Sequence, residues 1–133
     1  MKVEIPDLTA QECGEIAITA AEGGIGYWSV IDEYAFERWL VEDELLDVPD
    51  DFVFYTIRFE NPDSGAPSRL SADITPQVLR HGFEAGLAAD RDRGGWFFRD
   101  LIAKNREDWT GEIDSEGADM IVQFGLFGEV VFS

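Results

Sequence analysis

The hydrophobic and polar positions fall into alternating helical and strand periods along the chain. Cys13, Ile16, Ala17 and Ala20 recur at the i, i+3, i+4, i+7 spacing of one helix face, with Glu12, Glu15, Thr19 and Glu22 on the other side. Thr9 and Glu12 have the capping-box spacing, in which hydroxyl and carboxylate each satisfy the other residue's orphan amide. The small residues on the stripe predict close helix packing, and Gly23-Gly24 is placed to end the helix with a left-handed cap. Ile25 to Ile31 then reads as a strand.

Phe52 to Glu60 is the clearest strand, because Tyr55, Ile57 and Phe59 alternate with Thr56, Arg58 and Glu60. Asn61 to Gly65 is turn chemistry, and Leu70, Ala72 and Ile74 form the apolar side of a return strand. Thr75-Pro76 opens a helix whose inner face is Leu79, Phe83 and Leu87. Arg91 to Gly95 reads as a flexible basic loop, and Trp96 to Trp109 as a further helix. The last stretch, Ala118 to Ser133, is an almost wholly apolar helix that breaks at Gly128 and leaves as a short strand. Such a helix has no face for water, so the other elements must wrap it. These periods predict one α+β domain over residues 1–133: a small, mainly antiparallel sheet of three to four strands packed by three to four helices, with the C-terminal helix central.

Two places break the pattern and are the candidates for chemistry. Glu116, Asp119 and Gln123 form a narrow polar stripe on the apolar C-terminal helix. Such a stripe either hydrogen-bonds neighbouring elements or lines a pocket. The second place is the corner Gly23-Gly24-Ile25-Gly26-Tyr27-Trp28, where three glycines precede two aromatics. Glycine serves where backbone turns sharply or where something approaches closely. The corner is therefore either a helix–strand junction plugged by its aromatics or a place where a ligand meets bare backbone and stacks on a ring.

Charge changes this picture only in part. The chain carries 28 acidic and 10 basic residues, a net charge of -18, so no basic footprint exists and direct nucleic-acid binding is not expected. Salt adaptation, mimicry of nucleic-acid phosphates or plain solubility could each produce such acidity. Lys2 and Lys104 are the only lysines, so arginine supplies most of the positive charge, as GC-rich codon usage favours. The acidity gathers between Asp32 and Asp51, whereas Arg80, Arg91, Arg93, Arg99, Lys104 and Arg106 cluster later. That polarity fits ordinary solvated helix arginines, pairing between copies that gives a homo-oligomer, or arginines that meet an anionic ligand. The acidic run is either a solvated face or a surface for a host protein.

Catalytic and metal chemistry find little support. Cys13, the only cysteine, sits on a buried stripe, which rules out a disulfide within the chain and a thiolate zinc cluster. His81 lies off the apolar stripe of its helix and reads as a surface residue. The acidic run lacks the glycine pivot of a calcium loop, so no metal or cofactor is expected. No phosphate loop or nucleophile–base pair is present, so a non-enzymatic role is favoured, with Asp119 and Glu129 the one carboxylate pair to watch. The first residues hold no apolar signal core, and no run approaches the roughly 18–20 apolar residues of a membrane span.

The two ends of the chain also carry a resemblance. Glu22-Gly23-Gly24 with Tyr27-Trp28, and Ala118-Asp119, Ile121-Val122-Gln123 and Leu126 to Phe132, resemble a family of small bacteriophage and prophage proteins. The middle of the chain takes no part, Phe124 stands where the family pattern has Tyr, and Ser133 where it has Gly. The resemblance implies a phage accessory protein acting in the cytoplasm of an infected bacterium, and shifts weight from the acidic run to the corner. The expected function is non-enzymatic antagonism of host defence by sequestering a small nucleotide-like signal. Tyr27 or Trp28 would stack the base, and Gly24 and Gly26 would admit it. Asp119, Gln123 or Glu129 would hydrogen-bond it, and Arg99 or Arg106 would meet its phosphate. The alternative is an acidic decoy that mimics nucleic acid and binds a host nucleic-acid-handling or defence protein through Asp32 to Asp51.

Overall fold

The computed structural model of the chain describes residues 8–34, 49–60, 69–93 and 113–132. The predicted helix from Trp96 to Trp109, most of the acidic run, and both Arg99 and Arg106 lie outside the described residues.

Helix α1 (Ala10–Thr19) starts where its capping box places it. The Glu12 amide donates to Thr9 Oγ1 at 3.1 Å and the Thr9 amide donates to Glu12 Oε1 at 2.9 Å. Cys13, Ile16, Ala17 and Ala20 form its buried stripe. The helix does not end in a left-handed glycine cap, because among the described residues Gly128 is the one glycine with positive φ. Instead α1 runs into a single π-helical turn, Ala20–Gly24, closed by the Ile25 amide donating to the Ala20 carbonyl at 3.0 Å. Gly24 is needed there for clearance. A Cβ on it would sit 2.6 Å from the Ser115 carbonyl oxygen.

The next strand begins later than its sequence period predicts. Ile25 O accepts both the Ser29 amide, at 3.0 Å, and the Ser29 hydroxyl, at 2.8 Å, so residues 25–28 are committed to a turn. Strand β1 (Ser29–Tyr34) pairs with β2 (Tyr55–Glu60), and β2 with β3 (Arg69–Ile74), in one antiparallel sheet of order β1-β2-β3. Tyr55, Ile57 and Phe59 point into the core, and Tyr55 ties the sheet to α1 by donating its hydroxyl to the Ala17 carbonyl at 2.8 Å. The opposite face is polar. Register sets Arg58 against Ser71 and Glu60 against Arg69 there, and Arg58 pairs with Asp32 at 2.7 Å.

Helix α2 (Pro76–Arg93) opens with the Val78 amide on Thr75 Oγ1 at 3.2 Å. It continues through Arg91, Asp92 and Arg93, so the predicted basic loop starts as helix. Nothing in those residues breaks a helix until Gly94. Helix α3 (Ser115–Phe127) is capped by Asp114, which accepts from the Gly117 amide at 2.8 Å, and is closed by Gly128 at φ 77°. The two helices cross backbone to backbone. A Cβ on Gly82 would lie 2.0 Å from the Ile121 carbonyl oxygen, and one on Gly125 would lie 2.2 Å from the Val78 carbonyl oxygen. The fold is thus a small α+β unit in which the C-terminal helix packs against α2, the π-turn and α1. Around its buried Val122, Ile16, Phe54, Ile57, Leu79 and Phe83 complete one apolar core.

Candidate functional site

Past Gly128 the chain turns back over α3 instead of joining the sheet as the predicted strand. Its amides are held by one side chain. Gln123, fully buried, accepts the Val131 and Phe132 amides on Oε1, each at 2.8 Å. Its Nε2 donates to Asp119 Oδ1 at 2.9 Å and to the Phe132 carbonyl at 3.2 Å. The glutamine amide therefore does for the C-terminal segment what a neighbouring strand would do: it satisfies two donors and one acceptor.

One turn earlier, Asp119 faces the glycine–aromatic corner. It is 6% exposed and accepts Trp28 Nε1–H on Oδ1 at 2.8 Å and the Tyr27 hydroxyl on Oδ2 at 2.6 Å. The Tyr27 hydroxyl has one proton and also lies 3.2 Å from the Phe132 carbonyl, so the shorter contact shows that it donates to Asp119. Burial of the hydroxyl, followed by the hydrogen bond and charge of Asp119, pushes the Tyr27 phenol up to about 12. A buried carboxylate holding three donors from two elements is a strong joint between them.

The aromatic rings follow the same plan. Trp28 is 8% exposed, and Phe132 stacks on it with centroids 4.8 Å apart and planes inclined by 6°. Phe59 and Phe127 meet the indole edge-on at 5.7 and 5.9 Å. Of the two readings of the polar stripe, hydrogen bonding to neighbouring elements accounts for Asp119 and Gln123, and both are fully engaged. The corner glycines divide. Gly24 admits the backbone of α3, whereas Gly26 is exposed with no atom within 4 Å of a Cβ built on it. Glu129 is exposed beyond Gly128 and makes no hydrogen bond to this network among the described residues. The Asp119–Glu129 carboxylate pair is not assembled by the described hydrogen bonds.

Two clefts flank the joint. One, of about 510 Å³, is lined by Tyr27, Trp28, Phe59 and Phe132 together with Arg58, Glu60 and Arg69. The second, of about 540 Å³, lies behind Tyr27 and Phe132 against Gly23, Gly24 and Glu116. Tyr27 is 58% exposed, so its ring forms a wall shared by both clefts while its hydroxyl points inward. Arg58 and Arg69 were not singled out by the sequence pattern. The signal was present in principle: alternation puts Arg58 on the polar side of β2, and pairing Glu60 with Arg69 brings the second arginine alongside. Arg69 makes no ion pair among the described residues.

Other candidates fall to ordinary roles. Cys13 is fully buried with Sγ 3.9 Å from the Pro76 carbonyl, and burial pushes its thiol up to about 12, so it is a core residue rather than a nucleophile. His81 is exposed on α2. Of the acidic run, Asp32 pairs with Arg58 and Asp50 with Arg80. No group of three or more metal-binding side chains occurs among the described residues, and none of their helices is long and apolar enough to cross a membrane. Comparison with protein-family models, curated proteins and solved structures finds no match to this chain.

Proposed function

We propose that this protein binds a small nucleotide-like molecule without transforming it, in the cleft between the Tyr27–Trp28 corner and the outer face of the sheet. The observation that carries the reading is the meeting of ring surface and cationic groups in one cleft: Tyr27 and Trp28 line it together with Arg58 and Arg69, in a chain of net charge -18. Aromatic surface beside guanidinium groups suits a planar ring bearing a phosphate or carboxylate. The cleft volume of about 510 Å³ lies in the range of small-ligand sites. Arg69, which makes no ion pair among the described residues, supplies one cation, and Arg58 contributes a second while held by Asp32. Joined to the resemblance of the chain's ends to phage proteins, this activity would withdraw a signalling nucleotide from a host defence system.

The reading is tested by titration calorimetry with adenosine and guanosine 5′-monophosphates on wild type and Arg69→Glu. Saturable binding that falls at least 10-fold in the variant supports it. Binding indifferent to the charge reversal removes the anion from the argument, and a flat titration with both nucleotides removes the ligand class.

A further inference from the structure

The ring site for such a ligand is already filled from within. Phe132 lies flat on the Trp28 indole at 4.8 Å and 6°, the separation and inclination a bound base would adopt. Beside it Phe127 presents an edge at 5.9 Å, so Trp28 and Phe127 form the floor and one side of an aromatic slot whose content is Phe132. Besides this ring packing, backbone hydrogen bonds hold that content in place. The Val131 and Phe132 amides and the Phe132 carbonyl all bond to Gln123, and the segment leaves α3 through Gly128 in the left-handed conformation. Between hinge and clasp, Glu129 and Val130 are exposed.

The same segment borders both clefts. Phe132 lines both and Val130 lines the rear one, so lifting the segment uncovers the face of Trp28 on which Phe132 stacks. The geometry points to a C-terminal strap that acts as an intramolecular stand-in for the ligand: Phe132 occupies the ring subsite on Trp28 and is displaced when a planar aromatic anion binds. This rests on the binding reading above and adds its regulation. A protein whose competent state is only partly populated binds more weakly by that fraction, so the strap sets the affinity and the exposure of Trp28 together.

The test pairs nucleotide titration with amide exchange on the full chain, using adenosine and guanosine 5′-monophosphates as probes. Phe132→Ala is expected to bind them about 10-fold more tightly than wild type, because the competing stack is removed. Phe132→Leu keeps apolar bulk and the backbone clasp but no ring, and is expected to bind more tightly by a smaller factor; it decides the matter where the alanine variant folds poorly. In wild type, nucleotide is expected to accelerate exchange of the Val131 and Phe132 amides while Ile121 in α3 stays protected. Nucleotide that binds equally to all three proteins, with those amides unmoved, overturns the strap while leaving the binding reading intact. Binding to none of the three overturns the binding reading and the strap with it.

Discussion

Two faces of the same helix solve the same problem in opposite ways. On the face toward α2, Gly125 and Gly82 let two backbones touch with no side chain between them. On the face toward the corner, Asp119 and Gln123 fill the space with hydrogen bonds to Tyr27, Trp28 and the C-terminal segment. The first contact is close and leaves little room: a Cβ at Gly82 or Gly125 would collide with main chain. The second is polar, its partners are side chains on a turn and a terminal segment, and it borders both clefts. The difference shows where this molecule can be rigid and where it can move. A joint made by removing atoms has one geometry, whereas a joint made of hydrogen bonds can exchange one partner for another.

Breaking the close-packed face should cost most. Gly82→Ala puts a methyl 2.0 Å from the Ile121 carbonyl oxygen, with carbonyl and amide of α3 as its neighbours, so the helices must part. A loss of about 3 kcal/mol or more is expected in chemical denaturation, above the roughly 1 kcal/mol typical of single substitutions. A smaller loss would mean that the crossing is softer than the polar face. Asp119→Ala comes next. It leaves Trp28 Nε1, the Tyr27 hydroxyl and one Gln123 amide proton without their acceptor, for an expected cost of about 2–3 kcal/mol. Asp119→Ala should also shift the Trp28 indole N–H resonance, a readout that the glycine substitution leaves in place.

The smallest effect sharpens the comparison through pH. The Tyr27 phenol lies near 12 in the folded chain against an ordinary 10.0. Between these values the unfolded chain releases a proton that the folded chain keeps, so stability falls as pH rises from about 10 to about 12. Tyr27→Phe should flatten that decline. Cys13, raised from 9.0 to about 12, contributes a similar decline in both proteins and cancels in the comparison. An unchanged slope in the variant would mean that the hydroxyl is not held by Asp119 in solution.

The sequence made local relationships readable and distant ones opaque. Thr9 and Glu12 specify the start of α1 because both partners lie within one turn. The alternation of Tyr55, Ile57 and Phe59 marks the buried face of β2, and Leu79, Phe83 and Leu87 that of α2, because periodicity is a property of the element alone. The glycines were harder. Gly23-Gly24 reads as a helix cap, but the use of Gly24 is set by Ser115, a residue far along the chain. Gly82 has no signal in the helical period, and only the crossing with α3 shows it to be a contact. The polar stripe was legible as an exception on an apolar helix, and Tyr27, Trp28, Asp119 and Gln123 do meet. That they satisfy one another could not be read, because it depends on how the terminal segment turns after Gly128. Arg58 and Arg69 escaped notice for a like reason: their proximity is a product of strand register.

The π-helical turn at Ala20–Gly24 has a consequence for how the chain tolerates changes in length. A π-turn holds one residue more than an α-turn, and each helical residue advances the chain by about 100°. Everything after Gly24 is therefore set in phase by that extra residue, including the direction in which Tyr27 and Trp28 leave the helix. Deleting Ala21 would allow α1 to wind on as ordinary helix and would swing both rings about a quarter-turn away from Asp119. The corner behaves like a gear with one added tooth: substitutions around it change how tightly the wheels mesh, but a change of one residue in the count changes which teeth meet.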